Sequence, residues 1–250
     1  MNEIESPVAP ETESRSAVGS RWWRLSAAWA LLSWTSQPPL SWWPLCIVAV
    51  IPLLCAAKTD PISRKRFAVL FLAGTCYWAV TLQGLRHANP LIYPCWIVLS
   101  AYLGIYPVFF VLVLRRLLRR GAATLWAAPV AWVGMECIRN YLLTGISAAM
   151  LGHALSDVPS MIQIADLGGT YAVSLIIVAA NVALLSAWTY GAQRFTGSGE
   201  PDRADESPDG SPTVIVVIVL WTATYFYGRF RLGQPTRPSE TTLALIGRSE

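Results

Sequence analysis

The sequence predicts an all-α integral membrane protein with about seven transmembrane helices. Of its 250 residues, 54% are hydrophobic and only 14% are charged, whereas about a quarter of the residues in a soluble domain are usually charged. The apolar residues fall in long blocks with the charges between them, a pattern typical of repeated bilayer crossing. The net charge of +4 comes from arginine clusters beside these blocks, which indicates contact with lipid head groups rather than nucleic acid.

Three regions are expected along the chain. Residues 1–20 are polar and rich in Glu, Ser and Pro, and they predict a disordered cytoplasmic tail. Residues 21–230 are expected to form the transmembrane helical domain, and residues 231–250 to lie outside the membrane. The spans are expected near residues 22–36, 42–57, 67–85, 91–114, 122–143, 161–190 and 213–230.

The connections between the apolar blocks have distinct compositions. The first span runs into Gln37-Pro38-Pro39 and two tryptophans, which predicts a tight hairpin at the membrane interface. Pro52 is expected to kink the second helix. The sixth helix is expected to start past Gly168-Gly169, and the Gly, Ser, Pro and acidic residues of 191–212 predict a disordered loop.

The distribution of Lys and Arg predicts the orientation. With a cytoplasmic N-terminus and one crossing per block, thirteen of the 19 basic residues face the cytoplasm, five face outside and Arg139 lies within a helix. This excess favours a cytoplasmic N-terminus and an extracytoplasmic C-terminus. A re-entrant first hairpin would turn the four arginines of residues 115–120 outward, so we reject it.

No residues form a recognisable metal, cofactor or catalytic motif. The two histidines are far apart, and no serine elbow, phosphate-binding loop or nucleophile–base pair is found. We therefore expect no metal, no cofactor and no catalytic residue in this chain. The cysteines lie in apolar stretches without CxxC spacing and are expected to be unreactive packing residues; they are Cys46, Cys55, Cys76, Cys95 and Cys137.

Two charged residues lie inside the fifth span. Glu136 and Arg139 are three residues apart, so they share one helix face and can partly neutralise each other. Charge at membrane depth is by default functional, which would make the pair a polar contact beneath a site or a grip on a lipid head group. The alternative is a pair at the helix end that reaches the outer interface.

Residues 146–160 follow this span and are too short and irregular to cross the membrane. A re-entrant segment here would indicate a substrate vestibule, because non-helical backbone at membrane depth occurs only inside protein or beside a wet cavity. An ordinary extracytoplasmic loop is the alternative. His153 is interpreted as a hydrogen-bonded structural residue rather than a catalytic base.

Three segments in this order resemble the membrane part of the bacterial apolipoprotein N-acyltransferase family, over about residues 22–246. The first is the turn at residues 37–44, which ends in Trp-Pro. The second is similar to the family's Trp-x-x-x-Glu-x-x-Arg helix followed by Leu-Thr-Gly, and the third to its stretch from a glycine–aromatic pair to a Gly-Gly-x-Tyr helix start. The second and third are carried by Trp132, Glu136, Arg139, Thr144, Gly145, Leu151, Gly152, Gln163, Asp166, Gly168, Gly169 and Tyr171.

The resemblance implies a monomer in the bacterial inner membrane whose helical part precedes an extracytoplasmic nitrilase-like α/β domain. In that domain, the cysteine of a Glu-Lys-Cys triad takes an acyl chain from a phospholipid donor and passes it to a diacylated lipoprotein. Residues 241–246 resemble its first strand, and no residue here matches the triad. We therefore expect a truncated chain that is inactive alone.

The resemblance also suggests which residues contact the lipid substrates. Glu136, Arg139, Thr144 and His153 are the candidates for a surface that receives the acyl chains of phospholipid and lipoprotein. Two other classes stay open. One is a non-catalytic membrane scaffold, or lipid-binding partner, for a separately encoded catalytic domain. The other is a small transporter, which is less favoured because no convincing internal repeat is found.

Overall fold

The computed structural model describes residues 11–59, 63–87, 89–143, 145–196 and 210–235. The regular secondary structure of this part of the chain is helical. Its α-helices are α1 (Glu11–Ser36), α2 (Cys46–Ala49), α3 (Ile51–Lys58), α4 (Arg64–Thr81), α5 (Tyr93–Leu118), α6 (Thr124–Tyr141), α7 (Pro159–Ile162), α8 (Ala165–Thr196) and α9 (Gly210–Leu232). Short 3₁₀ helices lie at Trp43–Leu45, Gln83–His87, Pro90–Ile92 and Leu151–Leu155.

Three of these helices are long and apolar enough to cross a membrane. They are α5, residues Ala165–Ala192 of α8, and residues Pro212–Leu232 of α9, with mean hydropathies of 2.4, 2.0 and 1.5. Most of the α9 segment is exposed, since only 17% of it is buried against the rest of the protein, as suits a helix that faces lipid. The described part of the chain therefore has the predicted all-helical membrane class.

Two helices begin earlier than the sequence predicts. Helix α1 starts at Glu11, so the disorder predicted for residues 1–20 is wrong for 11–20, while 1–10 lie outside the described residues. Helix α4 starts at Arg64 because the Ser63 hydroxyl caps it, accepting a hydrogen bond from the Arg66 amide at 3.4 Å.

Three other helix ends lie beyond the boundaries that the sequence predicts. Helix α5 continues through the first two arginines of the 115–120 cluster to Leu118, and the favourable position of cations at a helix C-terminus explains the extension. Helix α8 continues to Thr196 and α9 begins at Gly210, so the ends of the predicted 191–212 loop are helical. Its middle, 197–209, and the strand predicted at 241–246 lie outside the described residues.

Two predicted irregularities are confirmed. The second apolar block is divided at Val50 into α2 and α3, directly before Ile51-Pro52, because a proline lacks the amide hydrogen that an unbroken helix needs. At the start of α8, Gly168 (φ −145°, ψ 20°) and Gly169 (φ 63°, ψ −166°) leave the helical region. Regular helix therefore begins after Gly169, as predicted.

The helices pack together as a bundle. Helices α4 and α5 pack along most of their length, with α1 on the other side of α4 and α6 beside α5. Helix α8 packs against α6 and carries α9 on its outer side, while the broken α2–α3 pair lies between α1 and α8. The break at Val50 is thus enclosed by neighbouring helices, whereas Gly168 and Gly169 are exposed.

Basic side chains tie the helices together at one end of the bundle. The guanidinium of Arg66, in the first turn of α4, lies 5.6 Å from the centre of the Trp22 ring on α1. Arg115, near the end of α5, donates a hydrogen bond to the carbonyl oxygen of Thr59, just past α3. The N-terminal half of α1, the end of α3, the start of α4 and the end of α5 therefore lie together.

The opposite end is held by a different set of contacts. The Gln37 amide, just past α1, donates to the Met150 carbonyl oxygen at 3.0 Å. Arg231, in the last turn of α9, forms an ion pair of 2.7 Å with Asp166 at the start of α8. The end of α1, the segment after α6, the start of α8 and the end of α9 therefore share this end.

The side chain of Asn181, on α8, forms hydrogen bonds with backbone groups that are left unpaired where α2 ends. An unbroken helix would join the Val50 amide to the Cys46 carbonyl. The Asn181 amide stands between them instead: its oxygen accepts from Val50 N at 2.8 Å and its nitrogen donates to Cys46 O at 2.9 Å. Asn181 is 0% exposed, so one side chain satisfies two backbone groups that water does not reach.

Replacing Asn181 by leucine is expected to destabilise the bundle. Asn181→Leu would leave a buried amide and a buried carbonyl unpaired, at a cost of about 2 kcal/mol or more. Thermal unfolding of the purified protein in detergent measures the effect. Leu184→Ala, at an exposed position one turn further along α8, is the control and should change stability by no more than about 0.5 kcal/mol. Equal unfolding temperatures for Asn181→Leu and wild type would contradict this role.

Candidate functional site

Glu136 lies inside the protein and binds backbone. Its side chain is 2% exposed. One carboxylate oxygen, Oε1, accepts hydrogen bonds from the Leu151 backbone amide at 2.8 Å and from the Trp132 indole at 3.0 Å. The other oxygen, Oε2, is buried and has no hydrogen-bond partner among the described residues. The carboxylate therefore connects α6 to the non-helical segment that follows it.

Arg139 lies one turn further along the same face of α6. Its side chain is 5% exposed, and its guanidinium lies 4.9 Å from the centre of the Trp78 ring of α4, within the range of a cation–π contact. Its Nε and Nη2 atoms are buried without a hydrogen-bond partner in the described part of the chain. The alternative of a pair that reaches the outer interface is therefore wrong, because protein covers both side chains.

The two charges are neighbours without a direct ion pair. Glu136 uses Oε1 for a backbone amide and an indole, whereas Arg139 turns toward an aromatic ring. No salt bridge joins these two side chains, both of which are described. Their three-residue spacing keeps them on one helix face, as predicted, but the two side chains form no direct ion pair.

Residues 146–155 fold back into the bundle. Met150, Leu151, Gly152, Ala154 and Leu155 of this segment are buried, although it contains only a short 3₁₀ helix. Irregular backbone at this depth requires partners for its amides and carbonyls, and the bundle supplies them from several helices. The buried packing favours the re-entrant interpretation over that of an ordinary loop.

The three segments that carry the family resemblance meet at this backbone. Gln37, from the first segment, donates to the carbonyl of Met150, and Glu136, from the second, accepts from the next amide, that of Leu151. Leu151 and Gly152 themselves belong to the third segment, and the hydroxyl of Ser174, three residues after that segment ends at Tyr171, accepts from the Gly152 amide at 2.9 Å. Side chains from α6, α8 and the turn after α1 thus hold three consecutive residues of one segment.

A second contact joins the same helices. The Asn140 side chain of α6 donates to the hydroxyl oxygen of Tyr171, on α8, at 2.8 Å. The same amide nitrogen lies 3.3 Å from the sulfur of Met150. Tyr171 belongs to the Gly-Gly-x-Tyr part of the resemblance, so this motif both starts α8 and fixes it against α6.

Gly152 allows the segment to approach α8 closely. A Cβ atom at this position would lie 2.7 Å from Cγ2 and 2.8 Å from the carbonyl oxygen of Thr170. Real Cβ atoms do not come so near to backbone, so a larger residue would push the segment away from α8. The glycine is therefore required by the packing of the segment rather than by the flexibility of a loop.

A small cavity lies beside Glu136 and Arg139. Its volume is about 30 Å³, and its lining includes aromatic side chains from α1, α4, α5 and α6, with Gln37, Glu136 and Arg139 as the charged or amide groups. This volume is enough for a water molecule or two and too small for an acyl chain. The cavity can therefore hydrate the two charges but cannot itself hold a lipid tail.

The other two candidate residues are Thr144 and His153. Thr144 lies outside the described residues, so its place in the site stays a prediction. His153 is half-buried, and its imidazole makes no hydrogen bond to another described residue. Burial lowers the pKa of His153, and the positive charge of Arg139 lowers it further. The imidazole is therefore neutral at neutral pH.

The cysteines lie in more varied surroundings than predicted. Cys46 is buried and Cys55 is half-buried, but Cys76, Cys95 and Cys137 are exposed. The last three therefore lie on the outer surface of the helices instead of packing inside. Among the described residues, no group of three or more His, Cys, Asp or Glu side chains is placed to hold a metal ion.

Sequence reasoning missed two residues of this site. Gln37 was recognised only as part of a turn, yet its side chain holds Met150. Ser174 lies in the apolar part of α8 and is 0% exposed. The available signal for Ser174 was a polar side chain within a spanning helix, four residues after Thr170. Its partner amide is 22 residues away in sequence, and no local spacing indicates that contact.

Comparison with known proteins supports the family resemblance found in the sequence. Residues 29–183 match the family model described as the apolipoprotein N-acyltransferase N-terminal domain. Apolipoprotein N-acyltransferase of Rhodopirellula baltica is 44% identical over 236 residues, 90% of this chain and 40% of that protein. The Geobacter metallireducens protein of the same name is 34% identical over 212 residues, 81% of this chain and 38% of that protein.

These relatives are much longer than the match. The chain spans about two fifths of the length of the two curated relatives described above. The matched region includes Gln37, Glu136, Arg139, Gly152 and Ser174, so it contains the contacts that hold the re-entrant segment. The chain belongs to the apolipoprotein N-acyltransferase family and matches the N-terminal domain of that family.

Proposed function

We propose that the chain forms the membrane part of an apolipoprotein N-acyltransferase and contributes to the transfer of an acyl chain from a phospholipid to a diacylated lipoprotein. The observation that carries the proposal is the meeting of three family-like segments, where Gln37 of the first and Glu136 of the second hold the backbone of residues 150 and 151, at the start of the third. The relatives named above share this region and are named for the N-acyltransferase reaction.

The proposed topology has about seven spans in a bacterial inner membrane, with a cytoplasmic N-terminus and an extracytoplasmic C-terminus. Its support is the grouping of contacts at the two ends of the bundle. The end with Arg66 and Arg115 carries most of the basic residues, as expected of a cytoplasmic end. The candidate site lies at the other end, where Gln37 meets Met150.

Glu136 and Arg139 are proposed to act by holding the re-entrant segment in place. The cavity beside them, of about 30 Å³, has no room for an acyl chain, which argues against a direct grip on lipid inside it. A fixed 146–155 segment, which includes His153, would instead give the extracytoplasmic end a defined surface, and Thr144 precedes this segment by two residues in the sequence. That surface is proposed to receive the acyl chains of the phospholipid donor and of the lipoprotein.

The orientation can be tested with reporter fusions. We expect green fluorescent protein fused after Gly121 to fluoresce and alkaline phosphatase fused there to be inactive, because the basic cluster before this position is retained in the cytoplasm. The reverse is expected after Gly233, which follows α9. Each site serves as the control for the other. Active phosphatase after Gly121 would invert the proposed topology.

The proposed acyl transfer requires a Glu-Lys-Cys triad, and none of these 250 residues matches a member of that triad. We expect the purified 250-residue polypeptide to give no triacylated product from phospholipid and a diacylated lipopeptide, by mass spectrometry. A fusion to the remaining part of the Rhodopirellula baltica relative is expected to give product, and the same fusion with its triad cysteine replaced by alanine is the control.

Either of two results would contradict the proposal. Product from the 250-residue polypeptide alone would show that the triad is not needed. A folded fusion that stays inactive, while the intact Rhodopirellula baltica protein is active in the same assay, would favour a non-catalytic scaffold instead. The fusion junction should follow the end of α9, so that the membrane helices are unchanged.

The proposed holding role predicts a difference between two substitutions of Glu136. Glu136→Leu removes the acceptor of the Leu151 amide and should cost about 1–3 kcal/mol. Glu136→Gln keeps a side-chain oxygen there and should cost less than half as much. Thermal unfolding in detergent compares the two variants, and Ile138→Ala, at an exposed position on the same helix, is the control.

Thiol labelling reports on the segment itself. In a background with the five native cysteines replaced, a cysteine at the buried position Ala154 should stay unlabelled by a polar maleimide. Adding Glu136→Leu should expose that cysteine, whereas adding Glu136→Gln should not. Equal labelling in all three proteins would show that Glu136 does not hold the segment.

A further inference from the structure

Helices α4 and α5 are joined in a fixed antiparallel register. A Cβ atom at Gly74 would lie 2.8 Å from Pro107 Cγ and 2.9 Å from the carbonyl oxygen of Gly104, so these positions are at the same level. The Trp96 indole donates to the Ala79 carbonyl oxygen at 3.1 Å nearer the other end. Counting back from Gly74 along α4 and forward from Gly104 along α5 leads to the same end of the pair. The start of α4 is therefore level with the end of α5.

An apolar groove runs between the two helices over this half of their length. The groove is shallow and opens broadly to the outer surface of the bundle, with a volume of about 390 Å³. Ile105 and Leu112 on its rim are 52% and 42% exposed. All six lining side chains are apolar: Phe67, Ala68, Phe71, Ile105, Val108 and Leu112.

Exposed arginines lie on both sides of one end of this groove. Arg64 precedes Phe67 by three residues and lies on the same face of α4, while Arg116 follows Leu112 by four residues on the same face of α5. The register places these two arginines at one level. Both are exposed, whereas Arg66 and Arg115 beside them contact Trp22 and Thr59.

The charged side chains of α4 and α5 near the groove are all basic. Lys65, Arg119 and Arg120 are also exposed near its end, and neither α4 nor α5 contains an Asp or Glu residue. An apolar groove alone accepts the chain of any lipid. A groove that ends between arginines favours a lipid with an anionic head group, by about fivefold for each arginine near the membrane surface.

We propose that the α4–α5 groove is a binding site for an anionic phospholipid. One acyl chain lies along the six apolar side chains, and the phosphate lies between Arg64 and Arg116, which donate charge-assisted hydrogen bonds to it. The site is at the opposite end of the bundle from Glu136 and does not depend on acyl transfer. In the proposed topology, the lipid belongs to the cytoplasmic leaflet.

Native mass spectrometry of the 250-residue protein in detergent tests the proposal. The protein is titrated with phosphatidylglycerol and with phosphatidylcholine of the same acyl chains. We expect the first phosphatidylglycerol to bind at least tenfold more tightly than phosphatidylcholine, and the double variant Arg64→Gln/Arg116→Gln to lose most of that preference. Arg86→Gln/Arg229→Gln removes the same charge from the other end and should keep it.

A third variant tests the groove. Ala68→Trp fills it from an exposed position and should weaken the first binding of both lipids several-fold while the preference for phosphatidylglycerol remains. Circular dichroism and thermal unfolding establish that each variant is folded. Equal affinity of the wild type for both lipids, an equal loss in the control pair, or unchanged binding in Ala68→Trp would each overturn the proposal.

Discussion

The hydrogen bond between the Glu136 carboxylate and the Leu151 amide determines how the end of the bundle that holds the candidate site is built. A carboxylate without partners is expensive to bury, and an irregular backbone at this depth is equally unfavourable without acceptors for its amides. The Leu151 amide donates a hydrogen bond to the Glu136 carboxylate at 2.8 Å, so each buried group supplies the partner that the other needs. Because α6 is held on its other faces by α5 and α8, fixing Glu136 also fixes the segment that leaves α6 and returns to it.

The same physical solution appears twice more, with neutral side chains. Asn181 joins the two backbone groups that the break between α2 and α3 leaves unpaired, and Ser174 accepts the amide of Gly152. Both side chains lie on α8, a long helix that faces the irregular parts of the protein at two depths. Helix α8 therefore supplies hydrogen-bond partners for backbone groups that are not paired within neighbouring helices. It is also long and apolar enough to cross a membrane.

The sequence was most informative about where helices lie and least informative about what covers their ends. Apolar blocks and the Gly168-Gly169 pair predicted the α-helical class and the start of regular helix in α8, because both signals are local. The depth of Arg139 along α6 suggested a residue near the interface, but depth does not reveal that Trp78 of α4 lies over its guanidinium. Asn181 was missed for a similar reason, since its partners are more than 130 residues away.

The α4–α5 hairpin links the two ends of the protein because its helices cannot slide. Gly74 and Gly104 bring the backbones so close that a Cβ atom on either would collide with the other helix, which fixes the level of every residue along the pair. At one end this register places Trp78 beside Arg139; at the other it places the exposed arginines beside the apolar groove. A change in the helix contact would therefore disturb the candidate site and the proposed lipid site together, although no side chain belongs to both.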